Sequence, residues 1–219
     1  MCGRYLTPDQ SALERYWGLA APPDFTQSFN VAPSRPAPLI RTDPEGHRVL
    51  GMVTWGFRPG WSSRAWINAR SESVFSAKAF AAAARRRRCL VPALGWYEWQ
   101  GEAAPRMPYL FHGNGFAPIA FAGIWTARET AGGWERSFAI LTRAAAERFA
   151  AIHDRMPVVL RPEDYAAWLD SSSTEPDLEG VLARPLDGIE FYRVSDYVNK
   201  PAHDDARCIA PLVGPGSVG

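Results

Sequence analysis

Lysine is nearly absent from this chain of 219 residues: 22 of its 24 basic side chains are arginine, and only Lys78 and Lys200 are lysine. Cysteine is scarce as well. Cys2, Cys89 and Cys208 form an odd set without a close pair, which speaks against a disulfide framework or a metal site. No run approaches 18 apolar residues, so no membrane-spanning helix is expected. The opening Met-Cys-Gly-Arg-Tyr lacks the apolar stretch of a secretory signal. A Gly-rich phosphate loop, a Gly-x-Ser-x-Gly elbow and a His-Glu-x-x-His pair are all missing, as are internal repeats and long linkers. These absences describe a soluble, cytoplasmic protein of a reducing compartment, without membrane contact, metal or cofactor.

What is present is a chain that is 47% hydrophobic, with a formal net charge of +1, nine Trp and 19 Pro. That length and apolar content can bury a full core in one domain, placed at 1–212, with a Gly/Pro/Ser-rich tail at 213–219. Helix signals are few. Thr7-Pro8 introduces a helix at 9–17, an Ala-rich run at 76–88 ends in four arginines, and further helices are expected at 144–152, 163–169 and 178–183. Strand-like runs are more numerous, at 38–41, 48–55, 89–99, 109–112, 119–125, 134–142, 157–160 and 189–194. They do not alternate regularly with the helices, which favours an α+β fold with mainly antiparallel sheets over a doubly wound one.

Several residues carry possible chemistry. Removal of Met1 would give Cys2 a free α-amine beside its thiol. About a tenth of such an amine is unprotonated at neutral pH. This 1,2-aminothiol can condense with an aldehyde to an imine and then close a durable thiazolidine ring, which no internal cysteine can do. Glu98 lies in Gly-Trp-Tyr-Glu-Trp (95–99), where aromatic walls would raise its pKa and suit it to shuttle protons; an outward-facing carboxylate is the plainer alternative. His153, in a loop between helix and strand, is either an acid/base or a surface residue. Asn68 and Arg70 share one face of an extended segment, so Asn68 can fix a nucleophile while Arg70 holds an anion, unless Asn68 satisfies a turn. Asn30 has the same two readings. Residues 55–61, followed by Trp66, interleave aromatic rings with arginine, as a base-stacking platform does. Trp61, after Pro-Gly, is the best candidate to touch bases, while the Arg85–Arg88 run reads most simply as a solvated helix end.

The order of these segments resembles the SOS-response-associated peptidase (SRAP) family. The matching segments are Met-Cys-Gly-Arg (1–4), Asn-Val-Ala-Pro (30–33), Trp-Gly (55–56), Pro-Gly-Trp (59–61), Ile-Asn-Ala-Arg-Ser-Glu (67–72), Gly-Trp-Tyr-Glu-Trp (95–99) and His-Asp-Arg-Met-Pro (153–157), closed by Val194-Ser195 and Val198-Asn199. The resemblance implies a barrel-like β core and a monomer whose partner is single-stranded DNA containing abasic sites, including sites at single-strand/double-strand junctions. It further implies that Cys2 forms a thiazolidine crosslink with the lesion. Glu98 would move protons, His153 would assist the imine step and a lyase side reaction, and Asn68 would position Cys2. Arg4, Arg70 and Lys78 would hold phosphates, with Asn30, Pro33 and Arg155 also at the DNA and Trp61 as a wedge. Two departures stand out: Lys78 and Met156 occupy positions where many members carry arginine. A thiol (auto)peptidase that removes Met1, or a non-covalent single-strand binding module, are the competing expectations.

Overall fold

A computed structural model describes residues 2–22, 25–101 and 105–212; Met1 and the expected tail at 213–219 lie outside them. The chain opens with β1 (Tyr5–Leu6) and α1 (Gln10–Trp17). The helix starts one residue later than expected because Asp9, rather than Thr7, is its cap. The Asp9 carboxylate accepts a hydrogen bond from Ala12 N at 2.6 Å, and Gly18, at φ 67°, ends the helix. A hairpin of β2 (Pro36–Thr42) and β3 (Arg48–Trp55) follows, then β4 (Asn68–Arg70), α2 (Ala81–Arg86) and β5 (Arg88–Ala93). Next come β6 (Gly95–Gln100), β7 (Met107–Gly113), the long β8 (Ile119–Thr130) and its hairpin partner β9 (Gly133–Ala144). A one-turn α3 (Glu147–Ala150), β10 (Arg155–Pro157), β11 (Val159–Leu160), α4 (Tyr165–Leu169), α5 (Glu175–Ala183) and β12 (Ile189–Arg193) complete the order.

Five strands close on themselves in the order β9–β3–β2–β5–β8, with β8 pairing back to β9. Every step is antiparallel except the β3–β9 seam, which is parallel at Thr54–Ser137 and Trp55–Phe138. The second sheet, β1–β6–β7–β12, is antiparallel throughout. The fold is therefore the expected α+β single domain with a mainly antiparallel, barrel-like core.

Period-2 alternation explains why the barrel has two apolar surfaces. Leu39, Val91, Phe121, Phe138 and Ile140 join Trp55, Tyr5, Trp96 and Cys2 in one buried cluster. Their chain neighbours Ile40, Leu90, Ala120, Ala122, Ala139 and Leu141 belong to another, covered by α1, α4 and α5. Alanine on that second face lets the helices lie close, while aromatic rings fill the first. Tyr5, for example, meets Trp55 edge-on at 5.2 Å and Phe121 at 5.9 Å.

The expected helix at 76–88 is shorter than its alanine content suggested. A 3₁₀ turn (Ser71–Ser73) and successive turns occupy the chain as far as Phe80. The arginine run is a solvated helix end for Arg85, Arg86 and Arg87, which are exposed, but not for its last member. Arg88 begins β5, is 4% exposed, and donates to the carbonyls of Ala84, Arg85, Trp168 and Asp170, so one guanidinium satisfies the last turns of both α2 and α4. Arg85 is held by Glu175 and Phe75 O, and Arg87 lies over Trp125. The expected strand at 89–99 is two strands, broken at Leu94 where the chain crosses from barrel to second sheet. Gly95 enables the crossing: a Cβ there would lie 2.2 Å from Phe111 O. The helix expected at 144–152 is a single turn, since Ala144 still pairs in β9. Among the described residues, no helix is long and apolar enough to cross a membrane.

Candidate active site and nucleic-acid groove

Cys2 enters the site along the edge of the second sheet. Tyr5 pairs with Trp96 and Leu6 with Gly95, and Tyr97 N donates to Arg4 O at 3.0 Å. Carried one step further back, the same antiparallel register sets Gly3 opposite Glu98. Trp96 and Glu98 point to the same side of β6, toward the cluster that contains Cys2. Cys2 is fully buried. Burial, followed by the negative charge of Glu98, pushes its thiol well above the ordinary value. Sulfur is therefore held as a neutral thiol, the opposite of an activated thiolate.

Glu98 is 2% exposed, and burial pushes its carboxyl up to about 7. Of its two sequence readings, the enclosed carboxyl is the one realised. His153 arrives from the other side of the fold. Phe149 plugs the core from α3, His153 N donates back to Phe149 O at 3.2 Å, and the imidazole Nε2 comes to 3.9 Å from Glu98 Oε2. Arg155 N donates to His153 Nδ1 at 2.9 Å, so in the neutral ring the proton sits on Nε2, on the Glu98 side. Asp154 Oδ1 also lies 2.9 Å from Nδ1; that contact becomes an ion pair only in the imidazolium. Burial lowers the His153 pKa, which favours the neutral form.

Asn68 lies on β4 beside Ile140, a member of the Cys2 cluster. Among the described residues, both polar atoms of its amide are buried without a hydrogen-bond partner, as is Thr142 Oγ1 on the neighbouring strand. A buried amide of this kind calls for a partner that a bound ligand or water can supply. Arg70, two residues further along β4, shares the Asn68 face and is exposed.

The remaining DNA candidates divide. Arg4, Asn30 and Pro33 line one groove of about 1010 Å³ together with Arg35 and Met52. Within it, Asn30 is a buried strut: its amide donates to Val198 O, Lys200 O and His203 O, while its oxygen accepts from Arg4 at 2.9 Å. Arg4 also donates to Val198 O and Asn199 O, and Asn199 Oδ1 accepts from Trp99 at 2.6 Å. The Val198-Asn199 motif thus anchors the first strand. Trp61 is 64% exposed and packs on Trp66, which meets Phe80, placing the exposed Lys78 turn on the same side. Met156 is core, 3% exposed, so the departure from arginine there serves packing.

Arg155 is engaged within the protein. Its fork meets both Glu72 oxygens at 2.6 and 2.9 Å and also donates to Thr142 O. Glu72 stood in a quoted motif without a role. Nothing local signals a partner on β10, so sequence reasoning missed it, and Thr142 likewise.

A family model described as SOS response associated peptidase (SRAP) matches residues 1–201. The abasic site processing protein YoaM of Bacillus subtilis is 31% identical over 225 residues, covering 95% of this chain and 97% of that protein. The abasic site processing protein YedK of Escherichia coli is 28% identical, covering 97% and 100%. A crystal structure of a Bacteroides thetaiotaomicron protein superposes with a TM-score of 0.84 at 20% identity, covering 97% of this chain and all of the other; this likeness concerns the fold.

Proposed function

The chain belongs to the SRAP family, and from that premise we propose that it processes abasic sites in single-stranded DNA by crosslinking them through Cys2 once Met1 is removed. The α-amine of Cys2 adds to the aldehyde carbon of the opened sugar, and loss of one water leaves an imine. The thiol then adds to the imine carbon, its proton passes to nitrogen, and a thiazolidine results. Glu98 serves both stages. Its protonated form donates to the ring oxygen as the closed sugar opens, and its ionised form accepts the thiol proton during ring closure. The His153 Nε2 proton stabilises the carboxylate between these stages. Asn68 holds the reacting atoms with its unpaired amide, and Arg4, Pro33, Arg70, Lys78 and Trp61 lie along the strand's path.

One observation carries this reading: the Glu98 carboxyl is 2% exposed and the Cys2 thiol fully buried, and burial pushes the carboxyl up to about 7 and the thiol well above its ordinary value. A peptidase would need the reverse, a thiolate activated by its histidine, and His153 faces Glu98. The test is a denaturing gel of Met1-free protein with single-stranded abasic DNA. A heat-stable adduct is expected, absent in Cys2→Ala and obtained with Cys2→Ser only after borohydride reduction of the imine. A stable unreduced adduct with Cys2→Ser would overturn the ring.

A further inference from the structure

Beside the Trp61 loop lies a second cleft, of about 500 Å³, between β3 and the β8–β9 hairpin. The two meet closely: a Cβ added to Gly60 would lie 3.9 Å from Arg128 Cβ. Four arginines line the cleft, Arg41, Arg58, Arg128 and Arg136, against a single acidic residue, Glu135. Arg128 takes that carboxylate, with Nε at 2.9 Å and Nη2 at 2.6 Å from the same oxygen. Among the described residues, no carboxylate lies within ion-pair distance of Arg41, Arg58 or Arg136.

Arg41 is additionally held over the Trp125 ring at 5.5 Å; burial and then the nearby charge of Arg136 oppose its own charge, with Asp43 a smaller opposite influence. The buried Nε of Arg58 has no hydrogen-bond partner among the described residues. Like charges gathered with unspent donors form a concavity that an anion stabilises. The rim adds a flat ring, since Trp134 is 67% exposed. Arginine forks beside an accessible indole are the elements that hold a nucleic-acid strand without reading its sequence. The cleft also adjoins the groove described above: Met52 lines both, with Ser34 in one wall and Arg35 in the other.

We infer that this cleft extends the DNA track, binding the sugar–phosphate backbone of the same single strand several nucleotides from the lesion, with Trp134 stacking on one of its bases. The inference rests on the reading of the chain as a single-stranded DNA protein, and the assay separates the two. Oligonucleotides carrying a tetrahydrofuran abasic analogue, which cannot open to an aldehyde, report non-covalent binding by fluorescence anisotropy across a salt series. A short strand of about five nucleotides is compared with one of about twenty.

Arg41→Ala/Arg136→Ala is expected to weaken binding of the long strand about tenfold. It should also flatten the slope of log K against log salt by about 1.4, as loss of two single-strand phosphate contacts requires. Binding of the short strand stays as in the wild type, which also reports that the variant is folded. Trp134→Ala weakens the long strand without changing the slope. An unchanged slope on the long strand, with normal crosslinking of authentic abasic DNA, overturns this inference alone. Failure of the wild type to crosslink any abasic strand overturns the function proposed above. Should inorganic phosphate abolish the arginine-dependent increment at concentrations too low to shift the ionic strength, the cleft is a free-anion site and the inference falls.

Discussion

The imidazole Nε2 of His153 stands 3.9 Å from Oε2 of Glu98, joining a loop that follows the barrel to a strand of the second sheet. With Nδ1 occupied by the Arg155 amide, the neutral ring turns its Nε2 proton toward the carboxylate. In the reaction proposed above, Glu98 is the group whose protonation state sets the chemistry, with His153 beside its ionised form.

That assignment gives a kinetic expectation. In the proposed reaction, opening the sugar uses the protonated Glu98 carboxyl, which is abundant below its pKa of about 7 and declines tenfold per pH unit above it. The Cys2 amine titrates in the opposite sense, so the useful quantity is the ratio of single-turnover crosslinking rates, wild type over Glu98→Gln, in which the amine cancels. The ratio should exceed about tenfold near pH 6 and decline steadily above pH 7, with DNA affinity unchanged. A ratio that stays flat into the alkaline range would remove Glu98 as the acid.

The same carboxyl has a thermodynamic signature. Its folded pKa is raised from 4.5 to about 7 by burial, so between those values the native state binds more protons than the unfolded one and stability falls as pH rises. The stabilising contribution is complete below about 4.5 and lost above 7. Glu98→Gln should thus be more stable than wild type by up to about 3 kcal/mol near pH 8, and close to it near pH 4. Urea midpoints at the two pH values check this; equal midpoints at pH 8 would mean that the carboxylate is solvated in the native protein.

Arg88 supplies a structural contrast with Arg86, its exposed neighbour in the same run. Removing the Arg88 guanidinium leaves the buried carbonyl ends of α2 and α4 without donors, so Arg88→Ala should cost about 3 kcal/mol or more. Arg86→Ala should stay within about 0.5 kcal/mol. Thermal melts of the two variants decide, and equal losses would show that the run acts only through its charge.

Those two arginines also show where legibility ended. Strands announced themselves because β3 and β8 alternate or run apolar between clear turn signals, and β3 appears with its expected bounds. The helices were overread: alanine at 81–84 favours a helix locally, but the preceding segment is spent in turns that carry Val74 and Phe75 into the core. For the site, motif order drew attention to Cys2, Asn68, Glu98 and His153, and aromatic flanking was enough to suspect a raised Glu98. What no local pattern could reveal was pairing across the fold: Asn30 as a strut for the C-terminal segment, or Arg155 as the partner of Glu72. Such contacts depend on the register of strands distant in sequence, and Arg155 looks the same in one dimension whether it faces a phosphate or a carboxylate.

Glu72 is the informative position on that last question. Its carboxyl is held at about 2, chiefly by hydrogen bonds from Arg155, with the fork also fixed by Thr142 O. Beside Asn68 and Arg70, such a rigid guanidinium presents its remaining surface to an arriving phosphate in one orientation. Glu72→Gln keeps the shape but surrenders the charge-assisted grip, and because the Glu72 side chain is 51% exposed the stability loss should be about 1 kcal/mol or less. If Glu72 orients Arg155 for DNA, the variant binds single-stranded DNA several-fold more weakly although it is less acidic. If Glu72 instead masks Arg155, removing its charge strengthens binding at low salt. Anisotropy titrations at two salt concentrations distinguish these signs, and a strengthened complex would recast Glu72 as an electrostatic restraint on Arg155.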